Sequence, residues 1–369
     1  MSNDNIYFDN AAATPIFPQV AEAMKPYLGG IFGNPSSVHM FGRQAAEALD
    51  SATASVAKFL NCQPSEVYFT GSGTESNNLA LIGLTKANIS NGKHIITTNI
   101  EHPSILNACT ALEKEGFKVT YLPVDKNGLV SANQLKKALK KETILVSVHL
   151  ANSEIGIVQP IAELAKITKE AGIYLHVDAC QATAYLPLDT QLLKADLLTF
   201  NGSKAYGPRG VAVLYVRNGV DIFPIHFGGG QQQGLRSGTE NVAGIVGLAK
   251  ALEIITSRRE KESKRLGQLR DELQNRLEKR GAKINVKNSP RLPNHLSVVM
   301  PIDETVVVKY FDQRGIAVSS GSACSSKSLV ESHVLQAVGL TSEQIQKTVR
   351  ITLGYQSREK DINLLLETL

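Results

Sequence analysis

Five short stretches carry side chains suited to chemistry, and each follows an apolar run. After residues 67–70 come Gly71-Ser72-Gly73-Thr74-Glu75-Ser76. The two glycines let a ligand approach the backbone, and the free N–H groups of a following helix suit a phosphate. Thr74 and Ser76 add hydroxyl donors. The stretch is not a Walker loop, because no Gly-Lys-Ser/Thr closes it, and it is not GxGxxG. A helix cap with turn glycines explains it equally well. After residues 94–98 come Glu101-His102-Pro103-Ser104, where Pro103 suits the first turn of a helix. After 144–149 come Ala151-Asn152-Ser153-Glu154, which place an amide at the same rim. After 173–177 come Asp178-Ala179-Cys180-Gln181. An aspartate that ends an apolar strand is costly to bury alone, so it calls for a cation, a metal or a protonated ring nitrogen. The fifth stretch, Asn201-Gly202-Ser203-Lys204-Ala205-Tyr206-Gly207-Pro208-Arg209-Gly210, holds the only lysine between Lys194 and Lys250.

The elements that must position these residues are legible as alternating patterns. Strands read over 67–70, 94–98, 118–122, 144–149, 173–177, 197–200 and 210–216. Helical patterns read over 45–60, 76–88, 104–115, 131–140 and 161–171. This alternation predicts an α/β fold with a large, mostly parallel mixed sheet flanked by helices. The last two strands are joined by a link too short for a crossover helix, which predicts an antiparallel pair. Ligands of open α/β sheets bind beyond the carboxyl ends of the strands, where all five stretches fall. A long helix over 243–280 carries Leu266, Leu269, Leu273 and Leu277 on one stripe and reads as a bridge between domains. Strands over 296–300, 316–319 and 348–353, with a helix over 304–314, predict a smaller α+β domain. The expected division is 15–255 for the large domain, with 1–14 and 256–369 forming the small one.

A phosphate cup, a buried acid, a histidine and a lysine at strand ends are together what pyridoxal phosphate requires. A lysine forms its Schiff base, an acid faces the pyridine nitrogen, and an aromatic face covers the ring. Beyond these parts the chain resembles the cysteine desulfurases of the class V aminotransferase group, within the fold-type-I pyridoxal-phosphate enzymes. The resemblance runs from Tyr7-Phe8-Asp9-Asn10-Ala11-Ala12-Ala13-Thr14 to Val349-Arg350-Ile351-Thr352-Leu353-Gly354. Between them lie Phe32-Gly33-Asn34-Pro35-Ser36-Ser37, His176-Val177-Asp178-Ala179-Cys180-Gln181, Arg236-Ser237-Gly238-Thr239-Glu240-Asn241 and Ser319-Ser320-Gly321-Ser322-Ala323-Cys324.

The resemblance implies roles. Lys204 would be the Schiff-base lysine, and His102 would stack on the ring and shuttle a proton. Asp178 would pair with the pyridine nitrogen and Gln181 with the ring oxygen. Asn152 would position ring and substrate. Gly73 and Thr74 would hold the phosphate, with Thr239 reaching in from a partner subunit. Arg350 would clamp the substrate carboxylate with its bidentate guanidinium. Cys324, in a Ser/Gly-rich stretch that reads as a mobile loop, would be the nucleophile. The other three cysteines read as structural, in helical or sheet contexts. One departure stands out. Where the family has Ser-x-His-Lys, this chain has Asn201-Gly202-Ser203-Lys204, which can still donate hydrogen bonds to a phosphate but without a charge.

The implied activity converts L-cysteine to L-alanine and leaves the sulfur as a persulfide on Cys324. A homodimer follows from the resemblance. So does a protein acceptor, either an iron–sulfur scaffold or a tRNA-thiolation protein. No resident metal is expected, although Cys324 could touch an iron–sulfur cluster transiently. The rival readings are a selenocysteine lyase or aminotransferase of the same class, and a non-catalytic sulfur-trafficking scaffold.

Composition narrows the field. The chain has 369 residues, is 43% hydrophobic and 20% charged, and carries a net charge of +5. Such a mild, dispersed excess does not argue for direct nucleic-acid binding. Cys62, Cys109, Cys180 and Cys324 form no CxxC pair, which predicts a reducing, cytoplasmic setting. No apolar run reaches membrane-spanning length, and the start has no signal-peptide pattern. If Cys324 is the nucleophile, Cys324→Ala keeps the yellow of the bound cofactor but releases almost no sulfide. Mass spectrometry then finds no persulfide on it, whereas near-normal sulfide release assigns the step to another group.

Overall fold

The strands form where β-branched and aromatic residues run together, and the helices where apolar positions recur every three to four residues. A computed structural model describes residues 5–302, 307–320 and 331–369. In chain order the strands are β1 (Ile6–Tyr7), β2 (Val67–Thr70), β3 (His94–Thr98), β4 (Lys118–Leu122), β5 (Thr143–His149), β6 (Tyr174–Asp178) and β7 (Leu197–Asn201). They continue as β8 (Ala212–Val216), β9 (Lys283–Ile284), β10 (His295–Val299), β11 (Ile316–Ala317), β12 (Ser319–Ser320) and β13 (Thr348–Thr352).

Among the described residues, β2-β8-β7-β6-β5-β3-β4 make one sheet of seven strands. The β6–β5–β3–β4 run and the β6–β7 pair are parallel, while β8 is antiparallel to both β7 and β2. The antiparallel pair expected from the short 201–210 link is present. Every residue of β3, β5, β7 and β8 is buried, as a sheet covered on both faces demands. A second sheet, β12-β13-β10-β9, and a parallel pair, β1-β11, lie apart from it.

The long helix spans Val242–Glu278. Leu266, Leu273 and Leu277 are fully buried, and Leu269 packs partly buried against the same core. The helix Met40–Leu60 packs along the long helix and ends on Asn61, whose φ of 54° stops it. No described helix is long and apolar enough to cross a membrane.

Three expectations change in detail. The strand read over 316–319 splits at Val318. β11 pairs in parallel with β1, and β12 pairs antiparallel with β13, so one apolar run serves two sheets. The helix read over 76–88 starts earlier, at Gly73, because Ser72 accepts the N–H of Glu75 and caps it. Its middle, Leu79–Gly83, widens into a π turn. Of the helix read over 304–314, the described part is Val307–Asp312. Several short elements fall outside those read from the sequence. They are β1, β9 and the helices Pro18–Met24, His333–Ala337, Ser342–Gln346 and Glu359–Glu367.

Candidate functional site

The carboxyl ends of the parallel strands open onto a cavity of about 880 Å³. Gly73, Thr74, His102, Asn152, Asp178, Gln181, Asn201, Ser203, Lys204 and Arg350 all line it. The fold therefore brings together residues separated by up to 277 positions in sequence (Gly73 to Arg350: 350 − 73).

Asp178 ends β6 and is buried. Its Oδ1 accepts the N–H of Cys180 at 2.9 Å, and its Oδ2 accepts Asn77 Nδ2 at 2.8 Å. Burial alone would raise its pKa. The Cys180 N–H, the nearby His102 and the Asn77 amide outweigh burial, and the carboxyl is held below its ordinary value. Asn77 gives its other N–H to Ser104 Oγ at 2.9 Å, and that hydroxyl meets His102 Nδ1 at 2.8 Å. The Ser104 N–H also donates to His102 Nδ1, which leaves the proton of the neutral ring on Nε2. Burial and then the positive charge of Lys204 push His102 below its ordinary pKa. A line of hydrogen bonds thus joins His102 to Asp178.

The turn bearing Lys204 is tied down from both sides. Asn201 Oδ1 accepts Ser203 Oγ at 3.0 Å and the Lys204 N–H at 3.1 Å. Thr14, near the chain start, donates to Ser203 O and accepts the N–H of Tyr206. Gly73 faces this turn. A Cβ there would lie 2.8 Å from Cys180 Sγ and 3.0 Å from Asn201 Nδ2, so only glycine fits.

At the opposite wall Arg350 projects from β13 and is buried. Its Nη2 bonds Asp9 Oδ1 at 2.7 Å and its Nη1 the carbonyl of Ser153 at 3.0 Å. Its Nε is buried with no hydrogen-bond partner among the described residues. Asn152 is largely committed to the loop itself. Its Oδ1 accepts the N–H groups of Glu154 and Ile155, and its Nδ2 donates to Ile100 O. Gln181 Nε2 donates to Ala11 O at 2.9 Å.

One expected residue stands elsewhere. Thr239 is exposed and lines a separate cavity of about 180 Å³ with Gln232 and Arg236, so one chain alone does not bring it to the main cavity. Cys324 lies outside the described residues. The flanking ends are described: Ser319 pairs with Arg350, and Glu331, Ser332 and His333 line the cavity.

One reading is corrected. Of the three cysteines read in helical or sheet contexts only Cys109 is in one; Cys62 sits in the bend after the helix Met40–Leu60, and Cys180 sits in the turn after β6 and lines the cavity. Burial and then Asp178 push its thiol well above the ordinary cysteine value, so it stays protonated. The cavity also contains His149, Glu154, Arg209 and His333, which the sequence did not single out. His149 read as one more strand residue. Only its place two residues before the rim could have marked it.

Comparison with known proteins gives one answer throughout. The family model for aminotransferase class V matches residues 6–365. Cysteine desulfurase IscS of Dictyoglomus turgidum is 45% identical over 99% of this chain and 93% of its own length. The IscS of Methanosarcina thermophila is 44% identical over 99% of this chain and 91% of its own. A solved NifS-like protein superposes with a TM-score of 0.92 at 37% identity, covering 98% of this chain and 97% of that one. The structure of SspA in complex with cysteine superposes at 0.85 and 36% identity, covering 94% and 98%.

Glu154 yields a pH dependence. Burial pushes its carboxyl up to about 7, against the opposing pull of Ser332, which donates to Glu154 Oε2, and of Arg350. A raised carboxyl stabilises the fold fully only below the ordinary carboxylate range, and that contribution is lost as pH rises through about 7. The expected outcome is a melting temperature that falls between pH 6 and pH 8. In Glu154→Gln the fall is smaller, measured by scanning calorimetry across that range.

Proposed function

The chain belongs to the aminotransferase class-V family, in its cysteine desulfurase group, and from that membership we infer a pyridoxal-phosphate-dependent cysteine desulfurase. Its substrate is L-cysteine and its products are L-alanine and enzyme-bound sulfur. The observation that carries this is the Asp178–Asn77–Ser104–His102 line of hydrogen bonds in the same cavity as Lys204. The residues present fit the cofactor. Gly73 leaves a cradle that any Cβ would fill. Asn77 Oδ1 is a buried acceptor with no partner among the described residues.

Gly73, Thr74, Asn201 and Ser203 would hold the cofactor phosphate, Asp178 its pyridine nitrogen, Gln181 its ring oxygen, and Lys204 its aldehyde carbon. When bound, pyridoxal phosphate is an electron sink that makes the Cα proton of an attached amino acid acidic. The chain supplies the rest. Arg350, already fixed by Asp9 and Ser153, turns its free Nε toward a carboxylate. Asn152, locked by its own loop, forms a rigid wall beside the substrate. His102 keeps its Nε2 proton available to the cavity while Ser104 occupies Nδ1. Lys204 is the amine that takes and returns the Cα proton. The Cys324 thiolate attacks the substrate sulfur. The C–S bond breaks as the S–S bond forms, and the carbon takes a proton to become alanine.

The remaining parts of the reading concern context. The large domain takes 15–255, while 1–14 and 256–369 form the small one. In support, all seven strands of the large sheet fall between residues 67 and 216. The protein works in the cytoplasm, and the Cys324 sulfur passes to an iron–sulfur scaffold or a tRNA-thiolation protein. The enzyme is a homodimer, and Thr239 of each subunit completes the phosphate site of the other. Exposed aromatic pairs support that reading: Phe32 stacks on Phe41 at 5.4 Å, and Phe223 meets Phe227 at 5.9 Å, with Phe32 70% and Phe227 75% exposed.

Protein loaded with the cofactor is expected to be yellow and to release alanine and sulfide from L-cysteine. Lys204→Ala loses the borohydride-reducible covalent adduct, and retention of that adduct would reassign the lysine. Light scattering is expected to give twice the 39.8 kDa chain mass. A fully active monomer would rule out shared sites.

A further inference from the structure

His149 is the last residue of β5, and its register partner is Asp178, the last residue of β6. Its side chain is almost wholly buried and still lines the cavity. Its Nδ1 lies 3.0 Å from Glu101 Oε1. Its Nε2 is buried without a hydrogen-bond partner among the described residues. An unpartnered buried nitrogen is costly, so the ring is held in place by its one polar contact, the Glu101 carboxylate.

Glu101 explains the state of the ring. It is completely buried. Its carboxylate receives the Thr98 hydroxyl at 2.7 Å and the backbone N–H of His149 at 3.0 Å, besides the imidazole. Both protein neighbours other than the ring are donors, which is the environment of an ionised carboxylate. A buried carboxylate needs a compensating cation. The other charged and titratable groups around the ring are committed elsewhere. His176, one rung deeper, is bound by Ser147 and Thr199 and is pushed by burial down to about 4. His333 gives Nε2 to the carbonyl of Glu101, not to its carboxylate. His102 is pushed down by burial and by Lys204, and Lys204 stands on the far turn. Burial also pulls on His149, but Glu101 and then Asp178 outweigh it and raise its pKa.

We propose that Glu101 and His149 form a buried ion pair in the wall of the cofactor cavity beside Asp178. His149 is then a positioning residue. Glu101 sets its ring, and its positive charge adds to the Cys180 N–H, His102 and the Asn77 amide around the Asp178 carboxylate. This rests on the reading that the cavity takes pyridoxal phosphate, although the charge of the ring can be read without it.

Two measurements test the proposal. In cofactor-free protein with 15N-labelled histidine, His149 is expected to show both ring nitrogens protonated at pH 7. Glu101→Gln, nearly isosteric but neutral, is expected to return the ring to a single proton. A neutral ring in the unaltered protein overturns the proposal, whatever the cavity binds. In cofactor-loaded protein, His149→Gln is expected to weaken pyridoxal-phosphate affinity about tenfold, read from the visible band on dialysis. If His149→Gln does not fold, Glu101→Gln carries the same comparison. Equal retention in a folded variant overturns the proposal, while a colourless unaltered protein overturns the cofactor reading and leaves the NMR result to decide the ion pair.

Discussion

A carboxylate kept charged inside a sheet is the constraint on which this structure turns. Asp178 ends a strand that lies between β5 and β7, so water cannot solvate it from either side. The protein must bring donors to it. One comes from the turn after β6, as the Cys180 N–H, and one from the helix Gly73–Asn78, as the Asn77 amide. That helix must therefore pack close against the strand ends, and the close approach excludes a side chain at Gly73. The Asn77 amide has a second N–H, which fixes Ser104 and through it the tautomer of His102. The close approach at Gly73, the tautomer of His102 and the charge of Asp178 are thus consequences of one electrostatic requirement.

The same requirement shows why much of the site was legible in sequence. A polar residue at the end of an apolar run is conspicuous, and Asp178, His102 and Lys204 each stand at such a junction. His149 and Glu154 were missed for the converse reason. His149 ends its run but is followed by Leu150 and Ala151, so no polar junction marks it, and its two ring nitrogens have different fates only once Glu101 is folded beneath it. Burial raises the Glu154 carboxyl, and the groups that oppose it, Ser332 and Arg350, lie 178 and 196 residues further along (332 − 154; 350 − 154). No local pattern carries such a distance. Chain breaks and periodicity placed the large sheet to within a residue or two, because its strands pair with buried neighbours on both sides. The two-residue strands β1, β9, β11 and β12 carry too few residues for any period to register.

The two walls of the cavity are built by different means. The wall of strand ends is held by parallel β-pairing and capped turns, all within residues 67–216. The Arg350 wall is assembled from distant pieces: Asp9, Ser153, the β13 strand and the neighbouring β12. The guanidinium is buried and doubly bonded, so its plane is fixed at the cavity wall.

That second wall has a bearing on how the molecule is made. Asp9 and Arg350 are 341 residues apart in the chain, and β1 closes only on β11. Contacts of such span form late, because a long loop must close before they are rewarded. A ribosome delivers the large sheet complete while the partners of β1 are still unmade. Through that interval the chain start stays without its strand partner, and Asp9 waits for its arginine. The Arg350 wall is completed only when β13 has emerged, so a chain that has built the strand-end wall still lacks this one.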